Sequence, residues 1–132
     1  GELLVQLTNL CDQYLNGRYL IKNFPYAKMA SVYKACDLFV LLSDKREAFG
    51  RVLLEAKACG LPIVTTSIPS RRNIVGPSGI FIESLDKEAL VKAIKRGLLK
   101  GKSTVSKIQA SKFDIKRVGP QYEKVFLKLI NK

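Results

Sequence analysis

The sequence predicts an α/β fold built on a doubly wound parallel sheet. Three observations carry that expectation. Asp37-Leu-Phe-Val-Leu-Leu42 and Pro62-Ile-Val-Thr-Thr66 are short apolar runs that do not alternate, the pattern of strands covered on both faces. Ile80-Phe-Ile82 is a third run of the same kind. Segments with helical spacing separate these runs, and strands alternating with helices imply crossover connections and a parallel sheet.

The elements follow in chain order. Leu3, Leu7, Leu10 and Tyr14 recur at helical spacing, predicting a helix over Leu3–Leu15 that Asn16-Gly17 ends. Tyr19-Leu-Ile21 reads as a short strand, and Pro25 starts a turn. Met29, Val32, Tyr33 and Cys36 mark the apolar side of a second helix, Ala30–Cys36. The strand over residues 37–42 comes next, then a polar loop over Ser43–Glu47. Val52–Cys59 reads as a helix closed by Gly60, a natural residue for a left-handed helix end. Asp86 can cap a helix running to Leu99, with Leu85 and Leu90 placed as a hydrophobic staple. Tyr122, Phe126 and Leu129 share one side of an amphipathic tail from Lys116 to Ile130, which Gly119-Pro120 should kink or delay.

Composition narrows the chemistry. A chain of 132 residues suits one compact domain over residues 1–132. The three cysteines, Cys11, Cys36 and Cys59, are scattered and odd in number, which fits packed thiols better than disulfides or zinc ligands. The count of zero histidines removes Ser-His and Cys-His nucleophile pairs and most zinc enzymes. No apolar run reaches the length of a membrane span, and the first residues lack the basic start of a signal peptide, so the expected place is the cytoplasm. The net charge of +12 attracts polyanions and is concentrated between Lys92 and Arg117. A solvated helix face accounts for it, and the inner face of an anionic membrane is a candidate peripheral contact. No motif or aromatic-basic interleaving marks nucleic-acid binding.

In doubly wound sheets, ligands sit beyond the carboxyl ends of the strands. The loop after Leu42 runs Ser43-Asp-Lys-Arg-Glu-Ala-Phe-Gly50 and then enters a helix. Gly50 allows close approach of a ligand, and the new helix supplies unpaired amides with a partial positive charge. Glu47 and Glu55 flank that helix start, and carboxylates accept hydrogen bonds from sugar diols in pairs. The same two acids are also what a loop and a helix start carry for purely local reasons. No phosphate-loop or dinucleotide fingerprint occurs.

Glu47-Ala-Phe-Gly-Arg-Val-Leu-Leu-Glu55-Ala-Lys-Ala-Cys-Gly-Leu-Pro-Ile-Val-Thr-Thr66 resembles the Glu-x7-Glu signature of group 1 (family 4) glycosyltransferases. Ala35 to Ser43 is similar to the strand before that signature, Gly76 to Ile82 to a later strand, and Phe113 to Phe126 to the closing segment. The resemblance implies the Rossmann-like carboxyl-terminal half of a GT-B fold, in mostly retaining enzymes that use a nucleoside-diphosphate sugar. It implies that Glu47, as the catalytic residue, holds donor-sugar hydroxyls near the anomeric centre. The backbone of Ala48, Phe49 and Gly50 would contact the sugar and diphosphate. Arg51 and Val52 would offer amides to the phosphates, Glu55 would hold the ribose, and residues near Ile21–Phe24 would line the base.

The sequence departs from that family in three places. The basic Gly-Arg…Lys-Gly segment of the first strand is absent, and the chain starts on a helix. The first strands and the acceptor-binding domain are therefore expected upstream, with the acceptor glycan or lipid held there. Ser67–Asn73 stands where the family has a Gly-Gly-x-x-Glu loop. Arg71 and Arg72 are candidate phosphate ligands there, against the alternative of a solvated turn. The expectation is a donor-binding domain of a glycosyltransferase, inactive alone, that needs no metal and no cofactor beyond its nucleotide-sugar substrate. The alternatives are a degenerate GT-B-like domain without catalysis and a basic nucleic-acid-binding domain.

Overall fold

The computed structural model describes residues 2–43 and 50–130. Among the described residues ten regular elements follow one another: α1 (Glu2–Leu15), α2 (Met29–Ala35), β1 (Phe39–Leu41), α3 (Arg51–Ala58), β2 (Ile63–Thr66), α4 (Pro69–Val75), β3 (Ile80–Ile82), α5 (Lys87–Lys100), α6 (Thr104–Ala110) and α7 (Ile115–Ile130). Single 3₁₀ turns precede α2, follow α4 and follow α6. The strands pair in the order β1-β2-β3, all parallel, with Phe39 opposite Ile63 and Val64 opposite Ile80.

Both faces of β2 are covered, as its unbroken apolar run requires. On one face Ile63 joins Tyr33 of α2, Leu53 and Ala56 of α3, and Ile74 and Val75 of α4. On the other, Val64, Ile80 and Ile82 pack with Ala93 of α5, flanked by Leu38, Leu42 and Leu90. Alternation along β2 thus sends Ile63 to one layer and Val64 to the other. Asp86 caps α5, its carboxylate accepting from the Ala89 amide at 2.9 Å. That bond holds the Asp86 carboxyl below its ordinary range.

Four readings are corrected. Residues 18–25 form no regular element, so Tyr19-Leu-Ile21 is not a strand. A strand exists through its neighbour's hydrogen bonds, and among the described residues the sheet ends at β1. For the same reason β1 is not covered on both faces: Val40 is 39% exposed where Val64 is 0% exposed. Ser67–Asn73 is not a turn, because Pro69 occupies the first turn of α4, where its fixed φ favours a helix and its missing amide costs nothing. Gly119-Pro120 does not delay the last helix, which starts at Ile115 and carries Pro120 inside it. α6 has no counterpart in the sequence reading. Among the described residues no helix is long and apolar enough to cross a membrane.

Candidate functional site

α3 starts at the carboxyl end of β1, as the crossover demands. Gly50 occupies the N-cap position with φ of 60° and ψ of 54°, left-handed backbone that a side chain disfavours. The Leu53 amide donates to the Gly50 carbonyl at 2.9 Å and closes the first turn. Arg51 and Val52 are exposed on that turn, and as at any helix start their amides precede the helix's own hydrogen-bond ladder. Leu53 is fully buried and anchors the turn to the core.

Glu55 lies one turn further on, half-buried. The Tyr33 hydroxyl of α2 donates to Glu55 Oε2 at 3.0 Å. Glu55 borders two hollows. One of about 350 Å³ is lined by Tyr26, Met29, Tyr33, Ala58 and Cys59. The other, of about 380 Å³, is lined by Leu54, Lys107, Ser111, Phe113 and Asp114. A larger hollow of about 570 Å³ lies between α1 and residues 17–23 and includes Ile21, Lys22 and Asn23 but not Glu55. It rests on a helix that buries none of its residues, which makes it a surface furrow rather than a formed site. Lys22 Nζ sits 5.5 Å from the Phe24 ring centre.

The two arginines of α4 have opposite settings. Arg71 is 1% exposed. Its guanidinium donates to Thr65 Oγ1 at 3.2 Å, to Thr66 Oγ1 and to Ser43 Oγ, and lies 3.5 Å from the carbonyls of Leu41 and Ser43. The threonines pass the chain of bonds on, Thr65 donating to the Leu41 carbonyl at 2.8 Å and Thr66 to that of Ser43 at 2.9 Å. One cation thus ties together the carboxyl ends of β1 and β2, the edge of the sheet where ligands bind. Arg72 points outward, paired with Glu83 at 2.8 Å and stacked 4.7 Å from the Phe81 ring centre.

Glu47, Ala48 and Phe49 lie outside the described residues. Of the others, the structure brings Gly50, Arg51, Val52 and Glu55 together on one helix start and sets Arg71 at the carboxyl ends of β1 and β2. Two residues escaped sequence reading. Lys57 is buried and donates to the Ile74 carbonyl at the end of α4 at 2.8 Å, with burial and then Lys112 holding its ammonium below the usual lysine range. Tyr33 was legible only as one residue of an apolar helix side. Its signal was the phenol itself, since a buried tyrosine hydroxyl seeks a partner.

The sequence profile of the family described as glycosyl transferases group 1 matches residues 1–112. This chain belongs to the group 1 glycosyltransferase family. Its parallel sheet with helices on both faces is consistent with the Rossmann-like domain of such glycosyltransferases. An uncharacterized glycosyltransferase of Methanocaldococcus jannaschii is 29% identical over 99% of the chain, which spans 36% of that relative. A D-inositol 3-phosphate glycosyltransferase of Streptosporangium roseum is 35% identical over 54% of the chain and 17% of its own length. One of Geodermatophilus obscurus is 39% identical over 51% of the chain and 15% of its own length. The chain therefore spans about a third, or less, of each of these curated relatives.

Proposed function

We propose that residues 1–132 form the donor-binding unit of a retaining glycosyltransferase and take a nucleoside-diphosphate sugar. The observation that carries this reading is the half-buried Glu55 carboxylate, set one turn into a helix whose start faces the ligand edge of a parallel sheet. The diphosphate sits on the Arg51 and Val52 amides, where helix polarity favours negative charge. Glu55 accepts from the ribose diol. Glu47 takes the donor sugar near its anomeric centre, with the backbone of Ala48, Phe49 and Gly50 beside it. Arg71 holds the strand ends in place. The reaction breaks the bond from the anomeric carbon to the diphosphate, and amide donors at the leaving group lower that barrier electrostatically. The acceptor, a glycan or lipid, is bound outside these residues, so the isolated chain shows no turnover. The basic surface contacts an anionic membrane at its cytoplasmic face, and no resident cofactor is required.

Glu55→Gln tests this reading. Loss of a charge-assisted pair with the ribose costs roughly 1.5–3 kcal/mol, or about tenfold or more in affinity for a nucleoside diphosphate. Calorimetric titration beside a thermal melt checks it. Equal affinity in a folded variant leaves Glu55 as a helix-surface acid.

A further inference from the structure

Tyr33 performs none of the roles assigned above, yet its hydroxyl is bound to Glu55. Resting on the donor reading just given, we infer that Tyr33 is a positioning residue whose hydroxyl holds the Glu55 carboxylate in the orientation that accepts the ribose hydroxyls. The phenol is itself fixed on two sides. Tyr33 is 4% exposed, and its ring meets the Phe39 ring edge-on, with centres 5.7 Å apart and planes at 66°. The ring therefore has packing from β1 as well as from its own helix, and the 3.0 Å bond carries that order to Glu55 Oε2.

A glutamate side chain left unanchored loses rotamer freedom when a ligand arrives, and a bond made beforehand removes part of that cost. One accepted bond leaves Oε1 and the remaining lone pair of Oε2 for the two hydroxyls of a diol. The 350 Å³ hollow beside Glu55 opens along the same Tyr33–Glu55 pair, so a ligand seated there meets the carboxylate already oriented. Burial first, then the Glu55 carboxylate, push the Tyr33 phenol above the ordinary range, which keeps it a donor through neutral pH.

The test compares wild type, Tyr33→Phe, Glu55→Gln and the double variant. Each is titrated with uridine, guanosine and adenosine diphosphates and with the 2′,3′-dideoxy analogue of whichever binds best. Melting curves establish that each variant is folded at the titration temperature. Tyr33→Phe keeps the ring and its packing. It is expected to bind the ribonucleotide roughly three- to tenfold more weakly, with affinity for the dideoxy analogue unchanged. Adding Glu55→Gln to Tyr33→Phe is expected to bring that ratio to one, the value for Glu55→Gln alone, because both residues act through one carboxylate. If Tyr33→Phe keeps the wild-type ratio, or weakens both ligands equally, the bond only ties two helices together and the inference is overturned. A wild type that binds no nucleotide, or does not discriminate the dideoxy analogue, overturns the donor reading itself and this inference with it.

Discussion

Replacing Arg71 with alanine is expected to cost about 3–5 kcal/mol of stability, from lost charge-assisted hydrogen bonds and the void left by a fully buried side chain. Domains of this size are stable by only about 5–15 kcal/mol, so the melting temperature should fall by roughly 10–20 °C. The side chain is 1% exposed and donates to the hydroxyls of Ser43, Thr65 and Thr66, which lose that partner in the variant. Arg71→Lys keeps the charge but loses the planar fork, and should fall between the two. Arg72→Ala is the control: its ion pair and ring stacking are half exposed, with the guanidinium side chain 52% accessible, and its loss should cost about 1 kcal/mol or less. Thermal melting of the three variants reads the order directly. Equal effects for the two alanine variants would mean that the buried network contributes no more than a surface contact.

The second large effect is expected at Gly60. α3 ends there in a paired motif: the Gly60 amide donates to the Lys57 carbonyl at 2.9 Å and the Leu61 amide to that of Ala56 at 3.1 Å. Gly60 has φ of 80°, and a Cβ added to it would stand 2.9 Å from the Ser103 carbonyl oxygen and 2.8 Å from Lys107 Cε. The lysine end can move aside. The backbone oxygen cannot, because Ser103 is held by its own amide bond to the Gly60 carbonyl at 2.8 Å. Gly60→Val combines left-handed strain with crowding and should cost about 2–4 kcal/mol. Gly60→Asn, which tolerates left-handed backbone better, should cost less while keeping the crowding. Denaturant unfolding separates these contributions, and a Gly60→Val variant as stable as wild type contradicts the packing of α6 on the end of α3.

The parts of this fold legible in the sequence are those set by a residue's own neighbours in the chain. The runs at residues 37–42, 62–66 and 80–82 marked all three described strands, because apolar residues without alternation suit little else at that length. Gly60 marked a helix end and Asp86 a helix start for equally local reasons. Burial of β1 was not legible, because Val40 is covered or bare according to which strand lies beside it. Arg71 was the harder case. In the sequence, Ser-Arg-Arg-Asn reads as a polar turn, and nothing local distinguishes the first arginine from the second. The difference arises because Ser43, Thr65 and Thr66 converge from two strands to surround one of them. Glu55 was legible as a chemical group and its partner Tyr33 was not, since they stand 22 residues apart and meet only when α2 packs on α3.

Backbone amide mapping shows where on the chain a nucleoside diphosphate binds. The uniformly ¹⁵N-labelled chain is titrated with a nucleoside diphosphate, and shifts are followed residue by residue. The largest changes are expected at Gly50, Arg51, Val52 and Glu55, saturating together, with the lysine-rich stretch between Lys92 and Lys116 nearly unmoved. Changes spread across that basic stretch, weakening with added salt and leaving the start of α3 unaffected, would contradict the donor reading and show a general attraction for polyanions instead.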